Sequence, residues 1–115
     1  WKPEVLVINL GTNDQSAPCD TTLFETRFHE FLTELRSLHP KSHILVLRTF
    51  HGFFQKIEKN VVVLKRNQGD KRIEFIDTTG WLDEQMDYTD GTHPNPQGHR
   101  KAADKLIPVL QKYLK

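Results

Sequence analysis

The 115-residue chain is long enough for one small domain and too short for two. Its 16 Lys and Arg against 15 Asp and Glu leave a formal net charge of +1, and 37% of its residues are hydrophobic, an ordinary balance for a globular chain. That balance gives no electrostatic reason to expect nucleic acid, and no apolar run is long enough to cross a bilayer, so neither is expected as a partner.

Residues 4–10, EVLVINL, form an apolar run rich in Val, Leu and Ile, the pattern of a parallel strand buried on both faces. GTND (Gly11 to Asp14) follows at once as a turn. Thr22 and Glu25 have capping-box spacing, and Phe24, Phe28, Phe31, Leu32, Leu35 and Leu38 recur at helical intervals until Pro40 stops the helix. Residues 43–49, HILVLRT, are a second strand of the buried type. Between Gly52 and Asn67, VVVL has strand propensity, yet Phe54, Ile57, Val61 and Leu64 fit a helical stripe. Helix is preferred there, because two parallel strands need a crossover between them. RIEFIDT, 72–78, is the third strand. Asn95 then caps a last helix with Pro96 at its first position, an inner face of Ala103, Leu106, Ile107, Leu110, Tyr113 and Leu114, and an expected kink at Pro108.

Strand and helix alternate three times, which predicts an α/β layered fold with a parallel sheet and right-handed crossovers. Three strands make a small sheet, and the first is apolar throughout. A bare edge of that kind invites pairing, so further strands are expected ahead of Trp1, and residues 1–115 read as the C-terminal portion of a single domain.

In open α/β sheets, ligands collect beyond the carboxyl ends of the strands. Three segments lie at such ends: GTND, RTFHGFF (Arg48 to Phe54) and DTTGWLDEQMDYTDGTH. In the last, Asp90 stands three residues before His93 on a turn entering a helix. A carboxylate at that spacing can hold the imidazole as a general base and stabilise the imidazolium once it forms. The same residues also suit a plain Asx turn with an exposed histidine. In GTND, Gly11 permits a tight backbone after the strand, and the neutral amide of Asn13 can donate to a developing oxyanion or simply bond its own turn. Asp14 is expected to brace that loop. Phe50 and His51 could line a pocket or plug the core, and Trp81 could stack on a sugar or pack under its loop. Asp87, Asp90, His93 and His99 crowd a short stretch, but their spacing matches no common metal motif. Ser16, Ser37 and Ser42 stand in no G-x-S-x-G or G-D-S context, so none is assigned as a nucleophile.

VLVINLGTND followed by DGTHP resembles the third and fifth sequence blocks of the SGNH hydrolase superfamily, the GDSL-type esterases, along essentially the whole chain. The resemblance implies a three-layer α/β/α, flavodoxin-like fold with a parallel sheet. It implies His93 as base, Asp90 as its orienter and Asn13 as an oxyanion donor in the loop with Gly11 and Asp14, and neither metal nor organic cofactor. The superfamily's first two blocks, which carry the serine and an oxyanion glycine, would precede Trp1, so this chain by itself is expected to be inactive. The INLGTND and DTTGWL…DGTHPNPQGH segments are most similar to carbohydrate esterases of the acetylxylan type. An acetylated polysaccharide is therefore the implied ester substrate, with secretion by analogy.

Overall fold

The computed structural model describes residues 1–14 and 20–115, so Ser16 and Cys19 lie outside the described residues. The elements run β1 (Val5–Ile8), α1 (Thr21–Leu38), β2 (His43–Leu47), α2 (Gln55–Asn67), β3 (Ile73–Ile76) and α3 (Pro96–Gln111). The three strands are parallel and lie in the order β1-β2-β3. Both crossovers step one strand in the same direction, so right-handed connections put α1 and α2 on the same face. The register pairs Ile8 with Val46 and Ile44 with Ile73, which keeps these side chains together on that face. With Phe28 and Leu32 of α1 and Val61 and Val62 of α2 they form the core. Tyr113, just past α3, donates its hydroxyl to the Glu74 carboxylate and sets its ring against His43, two residues that point away from α1 and α2. The third layer is therefore α3, and the expected α/β/α arrangement holds.

Several local expectations change. β2, in the middle, is buried on both faces, with Ile44 to Leu47 exposed by 4% or less. β1 is an edge strand among the described residues and is not buried on both faces, since Val7 is 39% exposed. The cap of α1 is Asp20, whose carboxylate accepts from the backbone N–H of Thr22 and Leu23 at 2.9 and 3.2 Å, rather than the Thr22 and Glu25 box. A carboxylate one residue ahead of the helix reaches both orphan donors, and the helix starts at Thr21 accordingly. Asn95 does cap α3, accepting from Gly98 N at 2.8 Å with Pro96 at the first position, and the helix continues through Pro108 to Gln111. Its expected inner face is only partly covered: Leu106, Leu110 and Tyr113 are half-buried, whereas Ala103, Ile107 and Leu114 are exposed.

The largest shift is in α2. Its buried residues are Glu58, Val61 and Val62, and Leu64 is exposed, so the packed face is turned from the expected Phe54, Ile57, Val61, Leu64 stripe. Residues 61–64 are four apolar side chains in succession and cover most of the helix circumference. Periodicity alone does not set the phase of such a run.

At the lower end of the sheet, Arg36 ties three segments together. Its guanidinium pairs bidentately with Asp70 at 2.9 and 3.2 Å and donates to the carbonyls of His39, Ser42 and Arg72. Burial alone would raise the Asp70 pKa, but the bonds from Arg36 and from Arg72 N outweigh it and hold the carboxyl below its ordinary value.

Candidate active site

The site is assembled at the opposite end, where the strands finish. After β1 the chain turns at Gly11, whose φ of +119° strongly favours glycine. A Cβ there would also meet Phe54, Thr49 and Phe24 at 3.4 to 3.6 Å. The backbone is thus pressed onto the start of α2, and Asn13 and Asp14 project beyond it, both exposed.

After β3, residues 83–95 fold into a compact loop around Asp87. Its side chain is fully buried and accepts from Asp83 N at 2.7 Å, Lys101 Nζ at 2.9 Å and Gln97 Nε2 at 3.1 Å. The bond from Asp83 N, then that from Lys101, holds its carboxyl below the usual range. Gly98 sits so close that a Cβ would lie 2.3 Å from the Asp87 carbonyl oxygen. The role of Asp87 is to clamp the loop to α3. Sequence reading grouped it with possible metal ligands, and the signal it passed over is the pair Gln97 and Lys101, one turn apart on the facing helix. Among the described residues no group of three or more His, Cys, Asp and Glu is arranged to hold a metal ion.

From this anchor a short hairpin extends, with Tyr88 bridged to Pro94, Thr89 N donating to His93 O at 2.9 Å and Asn95 N to Asp87 O at 2.8 Å. Asp90 and His93 occupy its tip. One carboxylate oxygen of Asp90 accepts from the backbone N–H of Thr92 and His93 at 2.9 and 2.7 Å, while the other meets His93 Nδ1 at 2.8 Å. The backbone bond from His93, followed by its ring bond and that from Thr92, keeps Asp90 well below the usual carboxylate range. The Asx turn and the carboxylate–imidazole pair, two readings left open by the sequence, are therefore present together, one on each oxygen of Asp90.

His93 Nε2 lies 2.7 Å from Asn13 Oδ1, across 80 residues of sequence. Asn13, Asp90 and His93 thus share one surface, with the His93 and Asp90 side chains 53% and 54% exposed. Oxygen acceptors on both ring nitrogens match an imidazolium that donates to each; a neutral base instead requires Asn13 to turn its NH2 toward Nε2.

The remaining candidates divide. His51 comes against the hairpin, its ring stacked on Tyr88 with centroids 4.3 Å apart. Phe50 is half-buried, and its carbonyl accepts from Arg48 at 3.1 Å. Trp81 is half-buried in the turn after β3, its backbone N–H donating to Thr78 O at 3.0 Å. Ser42 is buried at the other end of the sheet, donating to Pro3 O, and Ser37 is exposed on α1, so neither is near His93. A cavity of about 540 Å³ also lies at that other end, between Pro3, His39, Arg72 and Tyr113, and shares no residue with the Asn13–Asp90–His93 group.

An amide, an imidazole and its carboxylate therefore meet where the strands of a parallel α/β sheet end. Residues 1–101 match the model of the GDSL-like lipase/acylhydrolase family, and the chain belongs to that family. It is similar to the multidomain esterase of Ruminococcus flavefaciens (25% identity over 128 residues) and to the cellulase/esterase CelE of Acetivibrio thermocellus (29% over 121 residues). These alignments cover 100% and 99% of the chain but only 16% and 15% of the relatives. It also resembles a solved family two carbohydrate esterase from Clostridium thermocellum in complex with cellohexaose. There the identity is 27% and the TM-score 0.84, over 97% of this chain and 36% of that one.

Proposed function

We propose that this chain is the part of a serine ester hydrolase that carries the base, its orienter and one oxyanion donor, and that the serine comes from sequence ahead of Trp1. In this reading Asp90 holds the Nδ1–H tautomer of His93 and leaves the Nε2 lone pair to take the proton of a serine hydroxyl as the oxygen attacks the ester carbonyl. The resulting imidazolium faces the Asp90 carboxylate and later returns its proton to the leaving alcohol. Asn13, one side chain away, turns its amide N–H toward the carbonyl oxygen as that oxygen becomes negative. The substrate is an acetyl ester on a polysaccharide, by analogy with the carbohydrate esterases the chain resembles.

The observation that carries this reading is the continuous contact Asp90–His93–Asn13, with 2.8 Å on one ring nitrogen and 2.7 Å on the other. The edge of β1, unpaired among the described residues, and the exposure of Val7 and Ile107 support the idea that further strands complete the domain. In the full-length protein, His93→Ala is expected to lower p-nitrophenyl acetate turnover by about 10³-fold or more while leaving the fold intact. Unchanged turnover would remove the mechanism.

A second reading, a carbohydrate-binding module without catalysis, draws support from the cellohexaose complex of the similar esterase. Calorimetric titration of the full-length protein with cellohexaose, beside the ester assay, separates the two: saccharide binding without hydrolysis favours the module.

A further inference from the structure

Glu58 breaks the pattern of the core. It is 0% exposed, and neither carboxyl oxygen has a hydrogen-bond partner among the described residues. An ion in that position would be unpaired, and burial, reinforced by the nearby charge of Asp14, pushes its pKa up to about 8. At neutral pH Glu58 is therefore an uncharged acid. As a packing element it is a poor choice, since an apolar side chain of similar volume would fill the place with no polar group to desolvate.

Its position suggests another use. Glu58 N bonds to Phe54 O at 3.0 Å, which places Glu58 one helical turn beyond Phe54. Phe54 is the only non-glycine with positive φ among the described residues, at +60°, a conformation that costs a bulky residue about 1 kcal/mol or more. In that strained pose its ring stacks on Phe24 at 4.1 Å and forms the floor under Gly11. The Gly11–Asp14 loop therefore rests on the first turn of α2, and its last residue acts electrostatically on the first buried residue of the same helix.

We propose that Glu58 is a positioning residue whose neutral carboxyl lets the Gly11–Asp14 loop seat on α2, and whose ionisation drives that loop, and Asn13 with it, away from His93. This rests on the ester-hydrolase reading above. Lys56 and Lys59 of α2 are exposed. Glu25, His29 and Glu30 of α1 line a groove with Asn60 and Leu64, Lys65 bonds Thr33, and Arg66 pairs with Glu74 of β3. Asp14 is the charged group whose field reaches Glu58 among the described residues.

The test is the pH profile of acetyl ester hydrolysis by the full-length protein, with kcat and KM measured separately. The unmutated protein should lose kcat above about pH 8 while KM changes little. Glu58→Gln, neutral and nearly isosteric, should retain kcat at pH 7 within about twofold and stay flat through pH 9. Asp14→Asn, which removes the repelling charge, should flatten the alkaline limb. An alkaline limb that persists unmoved in Glu58→Gln, or that is missing from the unmutated protein, overturns the proposal. If Glu58→Gln does not fold, an alkaline limb unmoved in Asp14→Asn overturns it as well. Hydrolysis that is absent from the unmutated protein at every pH overturns the ester-hydrolase reading and this one with it, and so is told apart from failure of the Glu58 assignment alone.

Discussion

In an Asp90→Asn variant the side chain keeps its shape but exchanges one acceptor for a donor. The amide oxygen can still take the N–H bonds of Thr92 and His93, now at 2.9 and 2.7 Å, so the hairpin tip should hold its form. The amide nitrogen then faces His93 Nδ1, which at 2.8 Å is close enough to force that nitrogen to become the acceptor. The ring proton moves to Nε2, and Nε2 can no longer accept one from a hydroxyl. On the proposed mechanism the loss is of the base itself while binding survives, so kcat should fall about 10⁴-fold with KM little changed. That corresponds to about 5 kcal/mol of transition-state stabilisation. The assay is p-nitrophenyl acetate hydrolysis by the full-length protein, with a thermal melt as the control for folding. A well-folded Asp90→Asn variant with activity within tenfold of the unmutated protein would refute the tautomer argument.

The other predictions address separate links. Asn13→Ala should reduce kcat by about 10²- to 10³-fold through loss of the proposed oxyanion donor, read in the same assay. Gly98→Ala should lower the melting temperature and the activity together, because its methyl would collide with the Asp87 carbonyl that anchors the hairpin. Arg36→Ala should cost about 3 kcal/mol in denaturant unfolding, since it leaves Asp70 and three carbonyls without their shared donor. Because the folded-state pKa of Asp70 is depressed, the stability it contributes is present above the usual carboxylate pKa and lost as pH falls through the folded value, and Arg36→Ala should flatten that acid limb. Glu58 has the opposite sign. Its raised pKa means that stability is full below about 4.5 and declines as pH rises to about 8, a loss of about 3 kcal/mol by pH 7 that Glu58→Gln should abolish in urea titrations at several pH values.

The alternation of elements was readable along the chain because each carries its own local evidence. The β-rich apolar runs, the Phe and Leu stripe of α1 and the Asn95–Pro96 start of α3 depend on neighbours within a turn or two, and such signals survive whatever packs around them. The turn that joins Asp90 to His93 is of the same kind, since three residues of spacing and a glycine suffice to close it. What lay beyond reach was phase and distance. Four apolar residues in succession suit any face of α2, so only contact with α1 and β3 decided that Val62 turns inward and Leu64 outward, and that decision put Glu58 into the core. The meeting of Asn13 with His93 likewise depends on the parallel register, which puts the loops after β1 and β3 on one surface and so joins side chains 80 residues apart. Asp87 became an anchor rather than a ligand for the same reason, because the donors that saturate it are presented by a helix whose docking no local pattern encodes. Short-range chemistry is set by residues that are covalently near, whereas the charge state of a buried acid and the company a histidine keeps are set by which surfaces exclude water together.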